Sequence, residues 1–187
     1  MNFFNWLLRL ILGSIGPSRP PAGTSPFPSG SGPARLLIMR HAEKTGDDFD
    51  PHLSAQGQQR AEQLATYIPK QFGTPDFLIA ARTSKKSLRP YDTLRPLADA
   101  LGLTIKEKFD DNETDALVEH LGTSEKYAGK SGVIAWRHGN IPSLLEALGA
   151  PDGSYPQPWD DRVFNLIIEM TFSDSAAPRL RQITEPF

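Results

Sequence analysis

The spacing of apolar positions divides the chain into three stretches. Residues 1–15 hold Phe3, Phe4, Trp6, Leu7, Leu8, Leu10, Ile11 and Leu12, interrupted by Arg9. Residues 16–33 are Pro, Gly and Ser with little else. Residues 34–187 alternate short aliphatic runs with longer segments of helical period. Arg35 to Met39 reads as a central strand, apolar on both faces. Ser54 suits an N-cap, and Ala61, Leu64, Ala65 and Ile68 then fall on one side of a helix. Pro69 and Gly73 close that region. Asp76 to Ala80 is a second strand. From Pro90 to Ala100 a helix turns Leu94, Leu97 and Leu101 inward, with Pro90 in its first turn and a kink or early end at Pro96. A short strand over 103–105, a short helix over 114–121 and a long strand over 132–136 follow. A helix over 142–148 stops at Gly149. A long strand spans 163–172, and 180–183 pairs at an edge. This alternation predicts a three-layer α/β/α sandwich with a largely parallel central sheet.

The first two stretches carry no such alternation. Gly-Ser runs are flexible and Pro runs extended, so 16–33 reads as a linker and the folded domain as 34–187. The segment 1–15 is too short to span a bilayer, which takes roughly 20 apolar residues. Three readings stay open for it. It is an interfacial tether with Trp6 and the Phe pair in lipid, an atypical export signal, or a helix docked on protein. The expected location is cytoplasmic, with membrane-surface contact through 1–15; export stays open.

Bulk properties narrow the function classes. The chain has 187 residues and a formal net charge of −2, which implies no general attraction to nucleic acid. It has no cysteine, so disulfides, thiol catalysis and cysteine-ligated metals are excluded. The four histidines, His41, His52, His120 and His138, lack the spacing of a helical zinc motif. No metal and no cofactor is predicted.

Candidate chemistry gathers at strand ends. Arg40-His41-Ala42-Glu43-Lys44 directly follows the first apolar strand, and Trp136-Arg137-His138-Gly139-Asn140 ends the third. Arg89 opens the helix after the second strand. In a parallel sheet these three loops leave the same edge, where ligands bind in open α/β folds. An imidazole beside a guanidinium suits attack on a phosphoryl group whose oxygens are clamped.

These residues resemble the histidine phosphatase superfamily, the phosphoglycerate mutase-like proteins. The resemblance rests on Arg40-His41 after a first strand, on Leu53-Ser54-Ala55-Gln56-Gly57 before an alanine-rich helix, on Arg89 with Thr93, and on a late strand ending in His138-Gly139. It covers Arg35 to about Gly149. It implies a phosphoglycerate mutase-like fold and a metal-independent phosphatase acting on a phosphomonoester or on protein phosphohistidine. His41 would accept the phosphoryl group as a phosphohistidine. Arg40, Arg89 and His138 would hold its oxygens. The family takes its proton donor from between the second Arg and the second His. Among Glu107, Asp110, Asp111, Glu113, Asp115 and Glu119, Glu113 is chosen for its interval from Arg89 and its place before a helix; Asp111 is second. Lys44 and Asn140 are added as substrate contacts. The partner is a small phosphorylated substrate or a phosphoprotein, and the oligomeric state is unread.

Departures from the pattern matter as well. Ala42 stands where many members have Gly, and the usual Ser-Pro before the second Arg is replaced by a run with Arg82, Lys85 and Lys86. These cations extend the anionic footprint or are solvated surface charge. The altered positions leave a rival reading, a phosphate- or phosphopeptide-binding module with weak turnover. A mutase is less expected, because about 150 residues leave no room for the insertions that cover a mutase site.

Overall fold

The computed structural model describes residues 19–47, 49–173 and 176–187. The expected helix over 1–15 lies outside the described residues. Six strands form one sheet in the order β3-β2-β4-β1-β5-β6. They are β1 (Arg35–Arg40), β2 (Phe77–Ala80), β3 (Ile105–Lys106), β4 (Ser131–Trp136), β5 (Leu166–Ser173) and β6 (Ala176–Thr184). The first four pair in parallel, and β5 and β6 join antiparallel beyond β1. The helices are α1 (Ala55–Phe72), α2 (Arg89–Leu101), α3 (Thr114–Thr123) and α4 (Ile141–Ala147).

Alternation along the strands makes the three layers. Leu36 and Ile38 of β1 face a core with Leu117 and Leu121 of α3 and Leu144 and Leu145 of α4. Leu37 and Met39 face a second core with Leu64 and Ile68 of α1 and Leu94 and Leu97 of α2. A β-strand sends successive side chains to opposite faces, so a strand apolar throughout is covered on both. An α/β/α sandwich with a mostly parallel sheet is therefore the observed fold.

Two details differ from the expected pattern. The helix containing Pro96 runs on to Leu101, because Leu94, Leu97 and Ala98 are buried around the proline and tertiary packing carries the helix past the lost hydrogen bond. The Pro/Gly/Ser stretch is no free linker over its described part. Phe27 is buried in the first core and meets Phe172 edge to face at 4.9 Å. Gly23 N–H donates to Gly149 O at 3.0 Å, and Arg19 bonds Asp115 and Glu146 at 2.8 and 2.6 Å. A Cβ on Gly149 would lie 1.8 Å from Thr24 O, so only glycine lets this strap lie down. One buried phenylalanine is enough to dock a segment whose composition reads as a spacer. Among the described residues no helix is long and apolar enough to cross a membrane.

Candidate active site

Strand pairing brings the Arg-His tip and the second histidine loop together. Arg40 of β1 stands opposite Trp136 of β4, so His41 and Arg137 leave the sheet side by side. His41 N–H donates to Trp136 O at 3.0 Å. Ala42 N–H donates to Thr93 Oγ1 at 2.9 Å, and that hydroxyl donates to Arg89 O at 2.8 Å. The first turn of α2 is thereby fastened to the end of β1. Arg89 Nη1 donates to Asp50 O at 2.8 Å and Leu88 N–H to Pro51 O, which ties Asp50 and Pro51 to the same place.

The His41 ring is 4% exposed, with Nδ1 2.7 Å from Ala42 O. A carbonyl oxygen only accepts, so Nδ1 carries the proton and Nε2 keeps its lone pair. Burial, then the charges of Arg40, Arg89 and His138, push the imidazole down to about 3, against the hydrogen bond to Ala42. The ring is neutral across the physiological range. Ala42 serves here as well as glycine, since no described residue other than glycine has positive φ.

Arg40 is 3% exposed and has no carboxylate partner among the described residues. Its guanidinium lies 3.8 Å from the centre of the Phe164 ring, Nη1 donates to Asp161 O, and Nε is buried without a hydrogen-bond partner. Burial pulls its pKa to about 10, which leaves it cationic at neutral pH. His138 is half-buried at the start of a short 3₁₀ turn, His138–Asn140. Burial, Arg40 and Lys44 hold it below its ordinary value, against Asp161. Lys44 is exposed, and its backbone bridges to Leu53. The arrangement is a neutral imidazole with an available lone pair among fixed cations, which suits a tetrahedral oxyanion.

The predicted proton donor is bonded within its own loop. Glu113 Oε2 accepts from Asp110 N–H at 2.7 Å and lies 3.5 Å from Arg82 Nη2. The acid-rich loop before α3 uses this carboxylate to close its own turn. Asp111, the second choice, receives Arg137 Nη1 at 3.2 Å and Asn140 Nδ2 at 2.9 Å. Asn140 therefore braces the turn behind His138 through Asp111. His52 Nδ1 lies 2.9 Å from Asp92 Oδ2, with the ring at the surface. The acids acting most strongly on Arg40 are instead Asp161, Glu43 and Asp160.

Sequence reasoning missed three contributors. The strand expected from 163 begins only at Leu166, so Phe164 lies with Asp161 in the irregular stretch before β5. Arg60 was hidden as one more polar residue of α1. Its Nε lies 3.0 and 3.1 Å from the two Glu43 carboxylate oxygens, and Nη2 lies 2.8 Å from Oε1. Nη1 donates to Glu185 Oε2 at 2.6 Å. Its position beside Ala61 and Leu64 on the buried face was the available signal. Glu43 is also gripped from α1. Ser54 N–H donates to Glu43 O at 2.9 Å, and a Cβ on Gly57 would fall 2.2 Å from that oxygen. Ser54 caps α1 by accepting from Gly57 N–H at 3.1 Å. The Leu-Ser-x-x-Gly segment is thus the bed on which the His41 loop lies.

Solved structures share this architecture. A protein from Agrobacterium tumefaciens assigned as the phosphohistidine phosphatase SixA matches with a TM-score of 0.58 at 17% identity, covering 81% of this chain and 99% of its own. The protein histidine phosphatase SixA bound to tungstate matches at 0.57 and 18% identity, over 80% and 96%. A mycobacterial glucosyl-3-phosphoglycerate phosphatase bound to inorganic phosphate matches at 0.54 and 16% identity, over 79% and 95%. The chain therefore has the histidine phosphatase fold, as its motifs led one to expect. No protein-family model and no curated protein matches the sequence.

Proposed function

We propose that this protein is a metal-independent phosphatase that works through a phosphohistidine on His41. The carrying observation is the Nδ1 to Ala42 O hydrogen bond beside buried Arg40, which makes no carboxylate ion pair among the described residues. It leaves a neutral nucleophile next to a buried positive charge. His41 Nε2 attacks phosphorus, the bond from phosphorus to the leaving atom breaks, and its electron pair departs with that atom. Arg40, Arg89 and His138 hold the equatorial oxygens, where transition-state charge accumulates. Water then attacks the phosphohistidine, releasing inorganic phosphate and regenerating Nε2.

The placement of Glu113 and Asp111 favours leaving groups that need little help. A phosphohistidine fits, because its imidazole can already carry a proton on the second ring nitrogen and depart neutral. An alkyl phosphate must take its proton from another donor. The same observation supports the second reading, a phosphate-binding module with weak turnover.

The test is hydrolysis of an aryl phosphate and of a phosphohistidine peptide in EDTA, wild type against His41→Ala. Turnover that survives EDTA and disappears in the variant is the expected result. Stoichiometric phosphate binding without turnover selects the module. Turnover that persists in His41→Ala overturns both readings.

A further inference from the structure

A second cationic region lies away from His41. It is a cavity of about 450 Å³ between β3, at the edge of the sheet, and α3 with the turn that follows it. Strands β2 and β4 separate β3 from β1, which at ordinary strand spacing is about 14 Å. Lys106, Lys108 and Lys126 line the cavity with exposed side chains. Two are held over aromatic rings: Lys106 Nζ is 6.0 Å from the Tyr127 centroid and Lys108 Nζ 5.1 Å from that of Phe109. Neither ring neutralises an ammonium, and none of the three lysines ion-pairs with a carboxylate among the described residues.

His120, in the last turn of α3, is one of the lining residues, and its ring lies 5.5 Å from Phe109 and 5.6 Å from Tyr127. Burial and then Lys108, Lys106 and Lys126 all hold it below its ordinary value, so three positive charges converge on one imidazole. Tyr127 is 2% exposed, and its hydroxyl has no hydrogen-bond partner among the described residues. The acidic lining residue, Glu107, already receives Thr83 N–H at 3.3 Å. Point-charge ammoniums, an imidazole and an available hydroxyl around a ligand-sized hollow form an anion receptor.

We propose that this cleft binds a compact anion carrying two or more phosphate groups. Three ammoniums around one hollow of about 450 Å³ match the charge of two linked phosphates better than that of one monophosphate. The site is independent of the proposed phosphatase chemistry.

The experiment follows the His120 ring by NMR in the full chain during titration with pyrophosphate, at ionic strength held constant with sodium chloride. Bound anion should raise the His120 midpoint by about one unit, because an opposite charge favours the protonated ring. The double variant Lys106→Ala/Lys126→Ala should bind pyrophosphate at least about tenfold more weakly, as followed at His120, while hydrolysing an aryl phosphate as wild type does. The proposal is overturned if chloride alone gives the same shift, if the double variant binds as tightly, or if citrate binds more tightly than pyrophosphate. His120 reports the cleft itself, so pyrophosphate held at the His41 cluster cannot produce the expected result.

Discussion

Arg40 and Arg60 are both nearly closed to solvent, at 3% and 8% exposure, and they are handled in opposite ways. Arg60 is flanked by Glu43 and Glu185, which raise its pKa above the ordinary value against the effect of burial. Arg40 has backbone carbonyl and ring contacts, no carboxylate ion pair among the described residues, and a lowered pKa. A buried charge left without its counterion is expensive for the fold. Where one persists, the missing anion is the natural place for a substrate. Burial alone does not distinguish the two arginines; the carboxylate ion pairs do.

The strongest way to break this comparison is to remove Arg60. Arg60→Met should lower stability by about 3–5 kcal/mol, because it leaves Glu43 and Glu185 facing each other in the interior. Urea unfolding monitored by the Trp signal measures it. A loss under 1 kcal/mol would mean the two carboxylates hold protons and the network is not ionic.

Arg40→Met should do the reverse. Turnover should fall about 10²–10³-fold, the usual consequence of losing one transition-state donor. Stability should rise by about 0.5–2 kcal/mol, as it does when a functional but strained group is replaced. Paired activity and unfolding curves test both signs. A variant both inactive and less stable would show that Arg40 is structural.

Titration sharpens the comparison further. Glu185 is 3% exposed, with Oε1 unpaired, and burial, aided by Glu43, pushes it up to about 7 despite Arg60. That this acid and its guanidinium partner are both raised is no contradiction: two carboxylates share one cation, and the more deeply buried one keeps its proton longest. A raised folded pKa means the native state binds the extra proton. The stabilisation is therefore complete below the unfolded value and is lost as pH rises toward 7. Glu185→Gln should remove that decline. His41 has the opposite sign. Its depressed folded pKa contributes stability that is lost as pH falls below the unfolded value near 6.5 toward 3. The acid limb of kcat/KM should accordingly lie well below pH 6; a limb near 6.5 would mean an exposed nucleophile.

Much of this was legible in the sequence, for identifiable reasons. Strands apolar on both faces and a capped helix after Leu53 report local rules, so β1, β4 and α1 fell where periodicity placed them. Arg40, His41, Arg89 and His138 could be placed at one edge beforehand because strand ends in a parallel sheet converge by topology. The strap at Phe27 was not legible, since one aromatic in a Pro/Gly/Ser stretch carries no period. Phe164 and Asp161 escaped because their contacts with Arg40 join residues more than 120 apart in the chain. The partners of Glu113 were not legible because six acids crowd one loop, and only the fold shows that this one is turned to Asp110 and Arg82.

The smallest expected effect tests that last point. The Glu113 side chain is 44% exposed, and its pairing with Arg82 is at the surface. Surface pairs contribute about 0–1 kcal/mol, so Glu113→Gln should leave stability nearly unchanged. Turnover of aryl and alkyl phosphates should change by less than about threefold, whereas a general acid supplies about 10²–10⁴. A hundredfold loss confined to alkyl phosphates would show that the carboxyl leaves Arg82 to protonate the departing oxygen. The distinction between an acid spent on its own turn and one serving the site would then fail. Equal, small effects on both substrates would instead leave the chemistry to the cations around His41, as the contrast between Arg40 and Arg60 requires.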